Sequence, residues 1–133
     1  MASAIIPEAD PEPLEPVPVI GSLPIRINGG AFGRSAIEFI ASFRVRHVII
    51  SISAVDPIGG LMDYQLAEAD FARTALRCGE TSSVITDHTK FDRRALVRVA
   101  GFSEIDRIVT DAPPPPAIAE RLRDAGTRLE IAP

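Results

Sequence analysis

Two short stretches carry the polar groups best placed to do chemistry. Val84-Ile85-Thr86-Asp87-His88-Thr89-Lys90-Phe91 runs from an apolar segment into a loop holding a carboxylate, an imidazole, a hydroxyl and an ammonium. Ser53-Ala54-Val55-Asp56-Pro57-Ile58-Gly59-Gly60-Leu61 makes a similar break with a carboxylate, a proline and two adjacent glycines. In an open α/β sheet, ligands bind where strands end and loops begin. One loop with backbone freedom and one with a cation suit a small phosphorylated or polyhydroxy ligand. Lys90 offers a compact charge to a phosphate oxygen, and Thr89 with nearby backbone N–H groups can complete the cradle. Asp56 can accept hydrogen bonds from sugar or glycerol hydroxyls, while Gly59 and Gly60 let the backbone approach closely. Each residue also has a plainer reading. Asp56 can bond its own turn, Asp87 can hold Lys90 or the backbone, Lys90 can be a solvated lysine, and His88 a packing or surface imidazole.

Other chemistry-bearing residues give weaker signals. Glu68 lies one turn into a helix and can point back toward the glycine loop; Arg73, five residues on, shares its face poorly and reads as a solvated position. Gly29, Gly30 and Gly33 precede a helix that Ser35 can cap, and a helix start after glycines can bind anions. Their spacing matches neither a Walker nor a Rossmann fingerprint. One cysteine and two distant histidines cannot build a zinc site, and no Ser-His-Asp arrangement is present. The expectation is a binding site with no catalytic residues, no metal and no cofactor.

The elements that must position these loops follow from hydrophobic patterning. Arg46–Ile52 is a nearly continuous apolar run of strand length, as in strands covered on both faces of a parallel sheet. Ser82–Thr86 and Ile105–Thr110 read as further buried strands, and Thr127–Ile131 as the last. Val17–Ile20 is a short strand candidate, followed by a turn-rich loop over Gly21–Gly30. Ser35–Phe43 has Ile37, Ile40 and Phe43 on one helical face. Over Asp63–Gly79, Leu66, Ala69, Ala72 and Leu76 recur at helical spacing with Gly79 as a stop. A last helix opens in Pro113–Pro116, where proline is tolerated, and ends at Gly126. Strands alternating with helices predict an α/β fold, a mostly parallel sheet with helices on both faces.

The 133 residues suffice for one modest domain. Apolar residues make up 46%, but aromatics only 5%, so aliphatic side chains must build the core. The net charge of −4 argues against bulk electrostatic nucleic-acid binding, although Arg44, Arg46, His47, Arg93, Arg94, Arg98 and Arg107 make the middle basic. The single Cys78 excludes an internal disulfide, suits a reducing cytosol and reads as a helix-end filler. No run of about 18 apolar residues is present to span a membrane, and no secretory signal opens the chain. Residues 1–16, rich in Pro, Glu and Asp with no Lys or Arg, predict a disordered or polyproline-like tail, leaving 17–133 as the folded domain.

Several blocks carry a family resemblance: Ile50–Leu61, Tyr64-Gln65-Leu66-Ala67-Glu68-Ala69, Asp87-His88-Thr89-Lys90-Phe91, and Ile105–Asp111 leading into Ala112-Pro113-Pro114-Pro115. Together they resemble the C-terminal sensor domain of DeoR-type bacterial transcriptional repressors, above all the branch that represses the glycerol-3-phosphate regulon. The resemblance runs from about Val17 to Ile131. It implies a cytoplasmic sensor, similar in fold to sugar-phosphate isomerases, that binds a phosphorylated metabolite and is not an enzyme. By motif it carries Asp56, Gly59, Gly60, Glu68, Asp87, Thr89 and Lys90 over as ligand-binding positions. Members of the family are roughly twice as long and begin with a winged helix-turn-helix; the acidic 1–16 segment cannot stand in for it. A truncated sensor is therefore expected, partial in fold and without direct DNA binding. Thr89 stands for the family's usual Ser, Asp92 for a Gly, Arg46 for an Asp and Ala54 for a Gly. Sensor domains of this kind oligomerise, so the partners expected are a phosphorylated small metabolite and a homo-oligomer or a hetero-oligomer with a full-length repressor. The competing readings are an interaction module that modulates full-length repressors and a sugar-phosphate isomerase remnant.

Overall fold

A computed structural model describes Ser3–Ile6 and residues 34–133. In chain order the regular elements are β1 (Ser3–Ile6), α1 (Arg34–Ala41), β2 (Val45–Ser51), β3 (Ala54–Asp56), β4 (Gly60–Asp63), α2 (Leu66–Cys78), β5 (Gly79–Ile85), β6 (Val97–Ala100), β7 (Arg107–Thr110), α3 (Pro116–Ala125) and β8 (Arg128–Ile131). Single 3-10 turns lie at His88–Lys90 and Phe102–Glu104. The strand expected at 17–20, the loop at 21–30 and the glycine turn before the first helix fall outside the described residues.

Apolar strand runs separated by helices pair as parallel neighbours. The main sheet has the order β1-β2-β5-β7-β8. Strands β2, β5, β7 and β8 are parallel, with Val48 opposite Ser82, Val84 opposite Ile108 and Ile108 opposite Leu129. β1 adds at the β2 edge in the antiparallel sense, Ile6 opposite His47. The α/β class and the mostly parallel sheet are those predicted.

The alternation of side chains along the strands shows where the core lies. Val48, Ile50, Ser82, Val84, Ile108 and Thr110 are buried. Val48, Ile50, Val84 and Ile108 join one hydrophobic cluster with Ile40 of α1, Phe71 and Ala72 of α2, and Ile118 and Leu122 of α3. Their neighbours on the opposite face, His47, Ile49, Thr81, Ser83, Arg107, Val109 and Arg128, are at most half-buried. The topology explains this. The chain steps through β2, β5, β7 and β8 in one direction, and right-handed crossovers then place every connection on the same side. Among the described residues the helices thus cover one face, where helices on both faces were expected.

A second, antiparallel sheet of order β3-β4-β6 was not anticipated. Residues 54–63, read as a loop and a helix start, form a hairpin, with Val55 opposite Leu61 and Asp56 opposite Gly60. The predicted helix over 63–79 is shorter, because Asp63 belongs to β4 and Gly79 to β5. Its N-cap is Gln65, in extended conformation. The predicted tail over 1–16 is also interrupted. Ser3–Ile6 is a strand, since its Ala-Ile-Ile sequence suits sheet pairing. Averaging composition over the acidic, proline-rich window concealed it. The last helix runs to Ala125 and closes at Gly126 in the left-handed conformation (φ 76°), the C-terminal signal that the glycine carries.

Candidate ligand-binding site

The parallel strands β2, β5 and β7 all end at the same edge of the main sheet, and their following loops meet there. β2 leads through Ile52 and Ser53 into the β3–β4 hairpin; β5 leads into the Asp87–Lys90 turn; β7 leads into Asp111. An isolated bridge pairs Val55 with Phe91. It sets the Asp56 hairpin beside the lysine loop, so the two stretches singled out by sequence are neighbours in space.

Each loop is held by its own carboxylate. Asp56 Oδ2 accepts a hydrogen bond from Gly59 N at 2.6 Å, which is the turn-capping reading of this residue, with Oδ1 left over. Gly60, at φ 83°, is where a side chain is excluded twice over. The conformation disfavours L-residues, and a Cβ would lie 2.7 Å from Ala100 O. Its backbone therefore packs directly on the strand beside it.

Asp87 caps the 3-10 turn: Oδ1 accepts from Thr89 N at 2.8 Å and from the Thr89 hydroxyl. The Thr89 side-chain hydrogen bond, then the backbone one, holds the Asp87 carboxyl below the usual aspartate range. Thr89 is thus engaged with Asp87. Lys90 Nζ sits 3.9 Å from Asp87 Oδ2, a loose pairing that leaves its ammonium open to an anionic ligand.

His88 and Asp111 lock two loops together. The backbone N of His88 donates to Asp111 Oδ1 at 2.7 Å, and its Nδ1 lies 2.8 Å from Asp111 Oδ2. These contacts, the side-chain one first, lower the Asp111 carboxyl. His88 is accordingly more than a surface imidazole. Asp111 was quoted in the resemblance but not placed in the site, although it follows an apolar strand just as Asp56 and Asp87 do.

Glu68 stands apart. It is half-buried in the first turn of α2 against Asp63, which is 1% exposed. Asp63 Oδ1 accepts from Tyr64 N at 2.7 Å, while Oδ2 has no hydrogen-bond partner. Burial, and then the Asp63 carboxylate beside it, push the Glu68 carboxyl up. Among the described residues no ion pair or hydrogen bond joins Glu68 to Asp56, Asp87 or Lys90. Arg73, expected in solvent, donates to Asp70 and to Arg98 O and so ties α2 to β6. Cys78 fills a helix end, its thiol donating to Ile40 O and Thr74 O at 3.2 Å. Among the described residues no cluster of His, Cys, Asp and Glu is arranged to hold a metal. A cavity of about 520 Å³ lies at the opposite ends of the strands, on the open face around His47, Thr81, Asp106 and Arg107. It includes none of the sequence-predicted site residues.

The DeoR C terminal sensor domain family matches residues 15–112. This chain belongs to that family. Named relatives agree. The sensor domain is 33% identical over 104 residues to the glycerol-3-phosphate regulon repressor of Escherichia coli (strain K12), covering 78% of this chain and 41% of that protein. The glycerol-3-phosphate regulon repressor of Haemophilus influenzae is 33% identical over 107 residues, 80% of this chain and 42% of the other. The HTH-type transcriptional repressor CsqR of E. coli (strain K12) is 32% identical over 104 residues, 78% of this chain and 39% of the other. The chain thus spans about two fifths of the length of these repressors. No helix of the described residues is long and apolar enough to cross a membrane.

Proposed function

We propose that this chain is the effector-sensing part of a cytoplasmic DeoR-type repressor, binding glycerol 3-phosphate or a phosphorylated sugar without turning it over. The observation that carries this reading is the Val55–Phe91 bridge, which places the Asp56–Gly60 hairpin and the Asp87–Lys90 turn side by side at the C-terminal edge of the parallel strands. In this reading Lys90 meets the phosphoryl group, and the free oxygen of Asp56 accepts a ligand hydroxyl. The glycine backbone at 59 and 60 admits the ligand closely, and Asp87 and Thr89 hold the lysine loop in shape. Glu68 acts from behind the hairpin through Asp63. Nothing in this set pairs a general base with a general acid at one substrate position, which favours sensing over isomerisation. DNA release is then a property of a chain that bears the DNA-binding unit, because coupling needs two states of different ligand affinity and an output.

Thermal unfolding with and without millimolar glycerol 3-phosphate tests this, with glycerol and inorganic phosphate as controls. Ligand at about a hundredfold its dissociation constant stabilises by about 2.7 kcal/mol. The expected result is a shift specific to the ester and lost in Lys90→Ala. A cooperative transition that no phosphate ester moves sinks the reading.

The open face of the main sheet favours a second reading, an interaction module that assembles with itself or with full-length repressors. Co-purification of a full-length relative by a chain that binds no phosphate ester supports it.

A further inference from the structure

A second cationic recess lies on the other side of the hairpin from Lys90. The second sheet has the order β3-β4-β6. The lysine loop borders it at β3, through the Val55–Phe91 bridge, whereas Gly101 leaves it at β6. Beyond β6 is a cavity of about 300 Å³ whose polar lining comes from Arg98, Ser103, Arg121 and Asp124, with Gly60 and Gly101.

The floor of this cavity is well fixed. Gly101 N donates to Glu104 Oε2 at 2.5 Å, closing the Phe102–Glu104 turn. The Thr127 hydroxyl donates to Phe102 O at 2.6 Å and ties that turn to the end of α3. A Cβ on Gly101 would lie 2.6 Å from a guanidinium nitrogen of Arg98, so the absent side chain is what lets the guanidinium lie against the turn. Arg121 reaches the same cavity from α3. Among the described residues neither guanidinium is within ion-pair distance of a carboxylate. Glu104 Oε2, near the same point beside Gly101 as the Arg98 guanidinium, is engaged by Gly101 N, and Asp124 is the carboxylate in the cavity lining. Arginine presents a planar fork of donors that matches phosphate oxygens in pairs.

We propose that Arg98 and Arg121, with the Ser103 hydroxyl, form a second oxyanion site that takes a phosphoryl group, separate from the one assigned to Lys90. Its floor and the Lys90 loop are joined through one hairpin: Gly60 packs on Ala100 O, and Val55, on the adjoining strand, pairs with Phe91. An anion here is therefore placed to bias the conformation of the effector loops. The carrier of the phosphoryl group is either free phosphate or a small ester.

Titrating the chain with inorganic phosphate at constant ionic strength, and separately with glycerol 3-phosphate, glycerol and chloride, tests the site by amide NMR at Gly101 and Ser103. Saturable shifts with phosphate are expected. Exchanging both arginines (Arg98→Gln with Arg121→Gln) should weaken them about tenfold or more, the size of a lost charge-assisted hydrogen bond. Arg121→Gln alone, at an exposed position, should weaken them in the same direction. Saturation by glycerol 3-phosphate but not by phosphate would identify an ester as the carrier and keep the site. Lys90→Ala removes the ester-specific thermal shift of the loop site and leaves this titration in place, so the two readings fail separately. Shifts that grow linearly and equally with chloride, or a folded double variant that titrates as the parent does, overturn the proposal.

Discussion

His88 and Asp111 meet through two hydrogen bonds to one carboxylate, from the backbone N at 2.7 Å and with the ring Nδ1 at 2.8 Å. The pair joins the loop after β5 to the loop after β7, and with it the lysine loop to the start of the proline run that leads into α3. The candidate site is therefore braced across two parallel strands rather than borne on one flexible turn.

This brace has a pH signature. The carboxyls of Asp111 and Asp87 are both held below the ordinary aspartate value in the fold, by the hydrogen bonds from His88 and Thr89. A depressed folded value means stability that is complete above the unfolded pKa and lost as pH falls through the folded one. The parent should lose melting temperature more steeply than Asp111→Asn as pH drops below about 4, and the two curves should run parallel above pH 5. Parallel curves at every pH would show that the contact does not form in solution.

Glu68 carries the opposite sign. Its carboxyl is raised above 4.5, so the stability tied to its proton is complete below the unfolded value and disappears as pH climbs through the folded one. Glu68→Gln, which keeps a neutral group beside Asp63, should melt higher than the parent at pH 7 and match it near pH 4. Equal destabilisation at both pH values would mean that the ionised carboxylate is itself structural.

Asp92 adopts φ 57°, the one positive φ outside glycine among the described residues, at the position where the resemblance places a glycine. An L-residue there costs roughly 1 kcal/mol relative to glycine, less for Asp than for a branched side chain. Asp92→Gly should therefore raise unfolding free energy in urea by up to about 1 kcal/mol, because the relief exceeds the added chain entropy only in part. A lower midpoint would show that the Asp92 side chain holds the loop.

Ile108 is fully buried at the centre of the packed face. Ile108→Val should cost about 0.5–1.5 kcal/mol in the same measurement. A smaller loss would mean that the core around Ile108 is loosely packed.

Legibility differed by element. Arg46–Ile52, Ser82–Thr86 and Ile105–Thr110 were found because uninterrupted apolar runs of strand length leave few alternatives. The second helix was found by its Leu66, Ala69, Ala72 and Leu76 spacing. Strands β3, β4 and β6 are only three or four residues long, and hairpin sequences such as Ala54–Asp63, with Pro57 and two glycines at the turn, look like loop until their partner strand is known. Asp63 illustrates the difficulty: by sequence it is a helix-start carboxylate, and only the pairing of β4 with β6 buries it.

The sequence by itself determined the α/β class, the parallel core strands, the family and the two polar loops, because these depend on hydrophobic period and on residue type at strand ends, which are local. Tertiary structure alone decided which carboxylate reaches from one loop to brace another. It also set the contact between His88 and Asp111, the placing of Arg98 and Arg121 on one cavity, and the single packed face of the sheet. All of these depend on strand order and crossover direction. They bring together residues 20 or more positions apart, and no local period or spacing encodes such distances.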